Sequence, residues 1–330
     1  MARGKSKPYS NLNLTSIGLT NPNAYCADFV RKHDYESFLL APFYPKSLQG
    51  AYFAIKAFSV ELAMVQDNVS NVALGKMRMQ FWREALKDCA EVCITHKRSK
   101  SIGLNVTEQG KPPRHPIALA LHEAMQRVHL PLYHFKRLID ARVCLFHALD
   151  TELHTPTHLT IDSLTSHAES TSSTVLYLLL SLLSISSSTM SHAASHLGCA
   201  QTISTLIRAL PFHAKHGRMV IPAEVTGKHG VRQEEVFRYG PQTQGIEDAV
   251  FEFATVANDH LMTAREMFKK EGMGGKVPQE ARGVFLAGVP IANMLGELEK
   301  ANFNAFDGRV QGRGWKLPLL VWAGYYKGMF

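Results

Sequence analysis

A magnesium ion held between helices needs oxygen ligands, and two carboxylates spaced i and i+4 present them from one helix face. The sequence is poor in such pairs. Between residues 47 and 69 the acids are Glu61 and Asp67; six positions apart, they stand about 240° around a helix axis and cannot share an ion. Residues 170–223 contain no Asp or Glu, yet Arg208, Lys215, Arg218, His192, His196, His213 and His216 all fall there. Arg208, Lys215 and Arg218 can therefore hold an anionic head group. Alternatively, Arg208 pairs with a helix terminus or with a carboxylate such as Glu61, and the residues alone leave both open.

The remaining chemistry-bearing sets are weaker. Cys89, Cys93 and His96 fall at helical spacing, but a tetrahedral metal site needs a fourth ligand or an open position, and none is signalled nearby. His213 and His216, three apart and after Pro211, lack a third ligand. Asp248, Glu252 and Asp259 share a helix face, followed by Arg265, Lys269 and Lys270 in an exposed pattern, so they read as a solvated surface. Phe81 and Trp82 read as core or cavity wall, since no cations alternate with aromatics as in a nucleic-acid platform. These residues imply no metal, no cofactor and no nucleic acid.

The elements that must position these groups are helices. Apolar residues recur at steps of three and four over residues 24–38, 47–69, 74–94, 117–128, 131–148, 161–183, 191–210, 234–239, 245–270 and 284–301, with little strand alternation between them. Ser47 is the expected N-cap of the second helix. Residues 96–116, with Gly103, Gly110, Pro112, Pro113 and Pro116, read as a loop. The fold class is all-α, with residues 22–330 as a single domain.

Residues 1–21 read as a leader or flexible arm, carrying Arg3, Lys5 and Lys7 before the first acid, Asp28, a weak mitochondrial signal. Across 330 residues, 45% hydrophobic and 19% charged, the composition is that of a chain with a substantial core. A net charge of +8 suits an anionic partner such as a membrane surface or a phosphorylated ligand. Five cysteines without paired spacing argue for reduced thiols. The most apolar run, residues 174–185, spans about 18 Å as a helix, short of a bilayer core of about 30 Å.

Two long runs carry a resemblance. LQGAYFAIKAFSVELAMVQDNVSNVALGKMRMQFWREAL, residues 48–86, and HLGCAQTISTLIRALPFHAKHGRMVIPAEV, residues 196–225, resemble the two halves of the squalene/phytoene synthase family. The likeness extends from about residue 24 to the end. Ser37-Phe38, the run Phe81-Trp82-Arg83 and the closing WKLPLLVWAGYYK of residues 315–327 suit the divergent members that serve assembly of mitochondrial respiratory complex I. The resemblance implies an isoprenoid-synthase-type helical bundle around a central cavity. Laid on this chain, the outer aspartates of the family's first motif fall on Val60 and Met64, where Glu61 alone keeps an acid. Those of the second motif fall on Ala209 and His213, while Arg208, Gly217, Arg218 and Pro222 match.

With the magnesium ligands replaced on both helices, the resemblance implies a non-catalytic protein in which Glu61, Arg208, Lys215 and Arg218 are vestigial cavity or anion-binding residues. It also implies complex I subunits or other assembly factors as partners, and a peripheral place on the matrix side of the mitochondrial inner membrane, whose anionic surface the basic chain suits. Two rivals stand beside it: a prenyl, squalene or phytoene-type transferase with displaced ligands such as Asp248 and Glu252, and a carrier of prenyl diphosphate or lipid in a surviving cavity.

Overall fold

The helical periodicity is realised throughout: the computed structural model describes residues 19–68, 72–102, 114–151, 158–270, 274–312 and 314–330, and no strand occurs among them. Helix α1 (Pro22–His33) has Asn21 as its cap, the side chain accepting from the Ala24 N–H. Asp34 then ends α1 and caps α2 (Tyr35–Leu40), accepting from the Ser37 N–H. The periodic stretch 24–38 is thus two helices, because Asp34 leaves the helical region, at φ −139°, and offers its carboxylate to the next turn. Ser47 does not cap the following helix; it lies in a 3₁₀ turn, Lys46–Leu48, from which α3 (Gln49–Asn68) continues.

Helix α3 is the spine of the larger core. Tyr52, Ile55, Phe58 and Leu62 are all buried, Phe58 standing edge-on to Trp82 of α4 (Val72–Ile102) at 5.2 Å and to Phe135 at 5.5 Å. Burying each such side chain contributes about 1.5–3 kcal/mol. The stretch Lys46–Val65 reaches the length and mean hydropathy, 1.2, of a bilayer span. These neighbours explain its apolarity as that of a core helix. Helix α4 extends further than expected, so the loop assigned to 96–116 begins as helix up to Ile102. Residues 103–113 lie outside the described residues, as do residues 1–18 of the assigned leader and the side chains of Cys93 and His96.

Helices α5 (Pro116–Arg127) and α6 (Leu132–Thr151) pack on α3 and α4. Helix α7 (Ile161–Ala168) passes through a π turn, Glu169–Ser173, into α8 (Thr174–Leu182). The long α9 (Ser188–Lys215) runs through Pro211 for a further turn, rather than ending at 210. It stops at Gly217, φ +66°, where the Arg218 N–H returns to His213 O at 2.9 Å. Short helices α10 (Ala223–Lys228) and α11 (Gln233–Tyr239) lead to α12 (Ile246–Lys270), the principal packing partner of α9. The chain closes with α13 (Arg282–Phe285), α14 (Gly288–Lys300), α15 (Gly308–Gln311) and α16 (Leu317–Lys327).

A second hydrophobic cluster gathers Ile203, Ile207, Leu210, Val220, Phe253 and Leu298. Helices α9, α12 and α14 contribute to both clusters, for example Leu197 and Ile203 on α9 and Phe268 and Phe253 on α12. The close approach of α9 to the π turn depends on Gly198, where a Cβ would meet the Ser173 N and Cα at 2.4 and 2.5 Å. Ser173 Oγ donates to Ser195 O across that contact at 2.9 Å.

Candidate functional site

Between α3, α9 and α14 lies a cleft of about 970 Å³. Its α3 wall is Ser59, Val60, Ala63 and Met64; its α9 wall includes Gln201, Thr205, Arg208 and His213. The break at Asp34 brings Asp34, Tyr35 and Glu36 to the cleft, and residues 308–312 and 314–317, the closing segment, also line it. Polar turns complete it: Thr171 and Ser172 belong to the π turn, where Ser172 Oγ lies 2.7 Å from Thr202 Oγ1.

The cleft wall is more basic than acidic. Lys32, Arg142, Arg208, Arg218, Arg309 and Lys316 line it against Asp34, Glu36 and Glu297, and each of these carboxylates already has a role. Glu36 is gripped by Arg208 through both guanidinium nitrogens, Nη2 to Oε2 at 3.4 Å. Asp34 caps α2 at 3.1 Å, and Glu297 accepts from Lys300 at 2.8 Å. Lys56, buried on α3, faces the fields of Asp34 and Glu36; burial lowers its pKa, and the two carboxylates oppose that fall. His158 and His167 sit in the wall with rings 5.3 Å apart. Burial pushes His158 down to about 4, and burial with the nearby Arg142 and His158 pushes His167 to about 3. Both rings are neutral near pH 7.

The residues singled out from sequence are only partly brought together. Arg208 and Arg218 line the cleft, whereas Glu61 and Lys215 do not. Glu61 turns to Arg78 of α4 at 2.5 Å, since it lies about 100° round the helix from Val60 and about 60° from Met64. Lys215 is exposed at the end of α9. The carboxylate partner expected for Arg208 exists, but it is Glu36. Glu36 escaped sequence reasoning because an unbroken helix over 24–38 would aim it differently; the signal was Asp34, a strong N-cap residue three before Ser37.

Val60 and Met64 share the α3 face of the cleft, and His213 projects from the opposite wall, with Ala209 one turn before it. A hydrocarbon branch, a thioether, an imidazole and a methyl group do not fit Mg²⁺, which takes hard oxygen donors. Asp248 and Asp259 are exposed on α12. Glu252 holds Lys228 at 2.7 Å and His229 at 2.8 Å, outside the cleft. Among the described residues, no three His, Cys, Asp or Glu side chains converge as a metal site.

The squalene/phytoene synthase family model matches residues 30–316. The NADH dehydrogenase (ubiquinone) complex I, assembly factor 6, of Rattus norvegicus is 34% identical over 305 residues, covering 92% of this chain and 82% of its own. The Homo sapiens protein of the same name is 32% identical with the same coverage. Among solved structures, squalene synthase HpnC from Alicyclobacillus acidocaldarius superposes with a TM-score of 0.65 at 17% identity, over 89% of this chain and 100% of that one. At that identity the likeness speaks for the fold: an all-helical bundle of the isoprenoid-synthase type.

Proposed function

We infer the function from the premise that the chain belongs to the squalene/phytoene synthase family, and within it to the complex I assembly factor 6 group. Its role is in the assembly of mitochondrial respiratory complex I, carried out by binding rather than by turnover. The observation that carries the non-catalytic reading is the pair of cleft walls, where Val60 and Met64 face α9 with its Ala209 and His213. Without carboxylates there, a leaving diphosphate lacks the metal ions that neutralise it, and ionisation loses its main electrostatic support.

In this reading residues 22–330 form one domain after a mitochondrial leader, and the protein works at the matrix side of the inner membrane with complex I subunits or other assembly factors. Arg218, which lines the same cleft as Arg208, is the candidate contact for an anionic group on such a partner. The direct test deletes the chain from its own cells. Complex I resolved on native gels should fall, and re-expression of the wild-type chain should restore it. Unchanged complex I after deletion would reject the reading.

Catalysis is tested separately. Purified protein incubated with farnesyl or geranylgeranyl diphosphate and Mg²⁺ is expected to release no diphosphate above a boiled control. The double variant Ala209→Asp/His213→Asp is expected to be equally inactive, because Val60 and Met64 leave the facing wall without oxygen ligands. Turnover by either protein would restore the transferase reading.

A further inference from the structure

Among the described residues, exposed large apolar side chains concentrate on the last helix and the turn before it. Trp315, Leu319, Trp322 and Tyr326 are 78%, 64%, 57% and 64% exposed. At about 100° per residue Leu319, Trp322 and Tyr326 fall within a strip roughly 60° wide along α16, and Trp315 lies in the turn just before it. The opposite face is docked: Leu317 and Val321 are buried, Tyr325 packs on Phe43 at 4.9 Å, and Gly328 O accepts from the Val277 N–H at 2.8 Å. The helix is therefore fixed in place while its outer face is bare, and an exposed apolar patch of this kind marks a contact surface.

The chemistry of the strip selects the partner. Trp322 and Tyr326, with rings 4.6 Å apart, combine apolar bodies with polar tips, the side chains favoured at the headgroup level of a bilayer. Lys316, its Nζ over the Trp315 ring at 5.4 Å, and Lys327 flank the strip. Residues 308–330 contain Arg309, Arg313, Lys316 and Lys327 and no Asp or Glu. Cations without acids suit an anionic surface, and with interfacial aromatics beside them they match an anionic leaflet. Trp315 and Lys316 also line the cleft, so the strip adjoins its mouth.

We propose that the outer face of α16 is a membrane-docking surface, with Trp315, Leu319, Trp322 and Tyr326 seated among the lipid headgroups of an anionic bilayer and Lys316 and Lys327 pairing with its phosphates. This surface specifies the membrane contact of the function inferred above and rests on that reading. The cleft mouth then faces the bilayer.

The test mixes the full chain with vesicles of phosphatidylcholine, or of phosphatidylcholine with phosphatidylglycerol, and reads flotation and tryptophan emission. Trp82 is fully buried, so a blue shift reports Trp315 and Trp322. The expected result is binding and a blue shift on anionic vesicles alone. The variant Leu319→Gln/Trp322→Gln, both exposed positions, should keep its helical circular dichroism and bind at least about tenfold more weakly. Lys316→Glu/Lys327→Glu should lose about tenfold on anionic vesicles. Absence of vesicle binding, undiminished binding by the apolar variant, or a dimer in solution that the same variant dissolves would each overturn the proposal. Vesicle binding with complex I unaffected by deletion would sink the assembly reading alone; restored complex I without vesicle binding would sink this surface alone.

Discussion

Replacing Gly198 by Ala is expected to lower the melting temperature by about 4 °C, the loss of roughly 3 kcal/mol in a chain of this size. A Cβ at 198 would meet the backbone of Ser173 at 2.4 and 2.5 Å and its Oγ at 2.3 Å. Backbone cannot rotate away as a side-chain tip can, so α9 or the π turn must shift bodily. That shift breaks a set of bonds sharing the contact: Ser173 Oγ to Ser195 O at 2.9 Å, Ser195 Oγ to Glu169 Oε2 at 2.6 Å, and the Ser172–Thr202 pair at 2.7 Å. Burial opposes the ionisation of Glu169, but hydrogen bonds from Ser195, Tyr177 and Ser173 outweigh it and hold its carboxyl below the usual range. Losing them strands a half-buried carboxylate. The control is Gly296→Ala on α14, where a Cβ meets nothing within 4 Å; there the same change should stabilise by about 0.5–1 kcal/mol. Thermal melts of the two variants against wild type decide it, and equal small effects would mean that α9 and the π turn yield freely.

The helical architecture was legible because the spacing that makes a helix amphipathic survives in every long element: Tyr52, Ile55, Phe58 and Leu62 on α3 read as one stripe and are all buried. What the pattern does not encode is direction. An interruption as short as Asp34 leaves the stripe of 24–38 intact, yet it re-aims Glu36 at Arg208. In the same way, Val60 and Glu61 are neighbours in sequence, but only Val60 lines the cleft. Val60 and Met64 were singled out through the resemblance, and Arg208 by its residue type, and all three line the cleft. The partners of Arg208 and Glu61 were not, since ion pairs between helices depend on tertiary placement. Helix α16 escaped as an element because its hydrophobicity runs nearly all round, and a run without a polar face gives no period to read.

The cleft wall carries Val60, Met64 and His213 and offers no spare carboxylate beside them. The carboxylates that line it serve the scaffold: Asp34 holds a helix start, Glu36 joins α2 to α9 through Arg208, and Glu297 pairs with Lys300 within α14. Gln311 Nε2 donates to Arg208 O at 2.8 Å, fastening the closing segment to the same arginine. Glu36 and Arg208 thus tie two helices together while Asp34 and Glu297 serve their own, so the acids of the cleft wall hold its shape.

That shape should fail in mild acid. Six histidines, His115, His134, His158, His167, His196 and His260, are shifted below their ordinary value, chiefly by burial. For a base whose folded pKa is depressed, the unfolded chain binds more protons between the two pKa values, so stability falls as pH drops through that window. For His158 the window runs from 6.5 down to about 4, and for His167 from 6.5 to about 3. Each fully titrating proton costs about 1.4 kcal/mol per pH unit, so this pair alone should remove about 3–4 kcal/mol between pH 6.5 and 5. Carboxylates whose pKa values are lowered, such as Glu169 and Asp307, add their loss only below their unfolded values near 4 to 4.5, which leaves the window above pH 5 to the histidines. Denaturant melts at pH 7.5, 6 and 5 should show this fall, and His158→Gln/His167→Gln should flatten it markedly. Stability that holds level from pH 7.5 to 5, or an undiminished slope in the double variant, would show that the rings accept protons within the fold. The cleft would then be wetter than its packing implies.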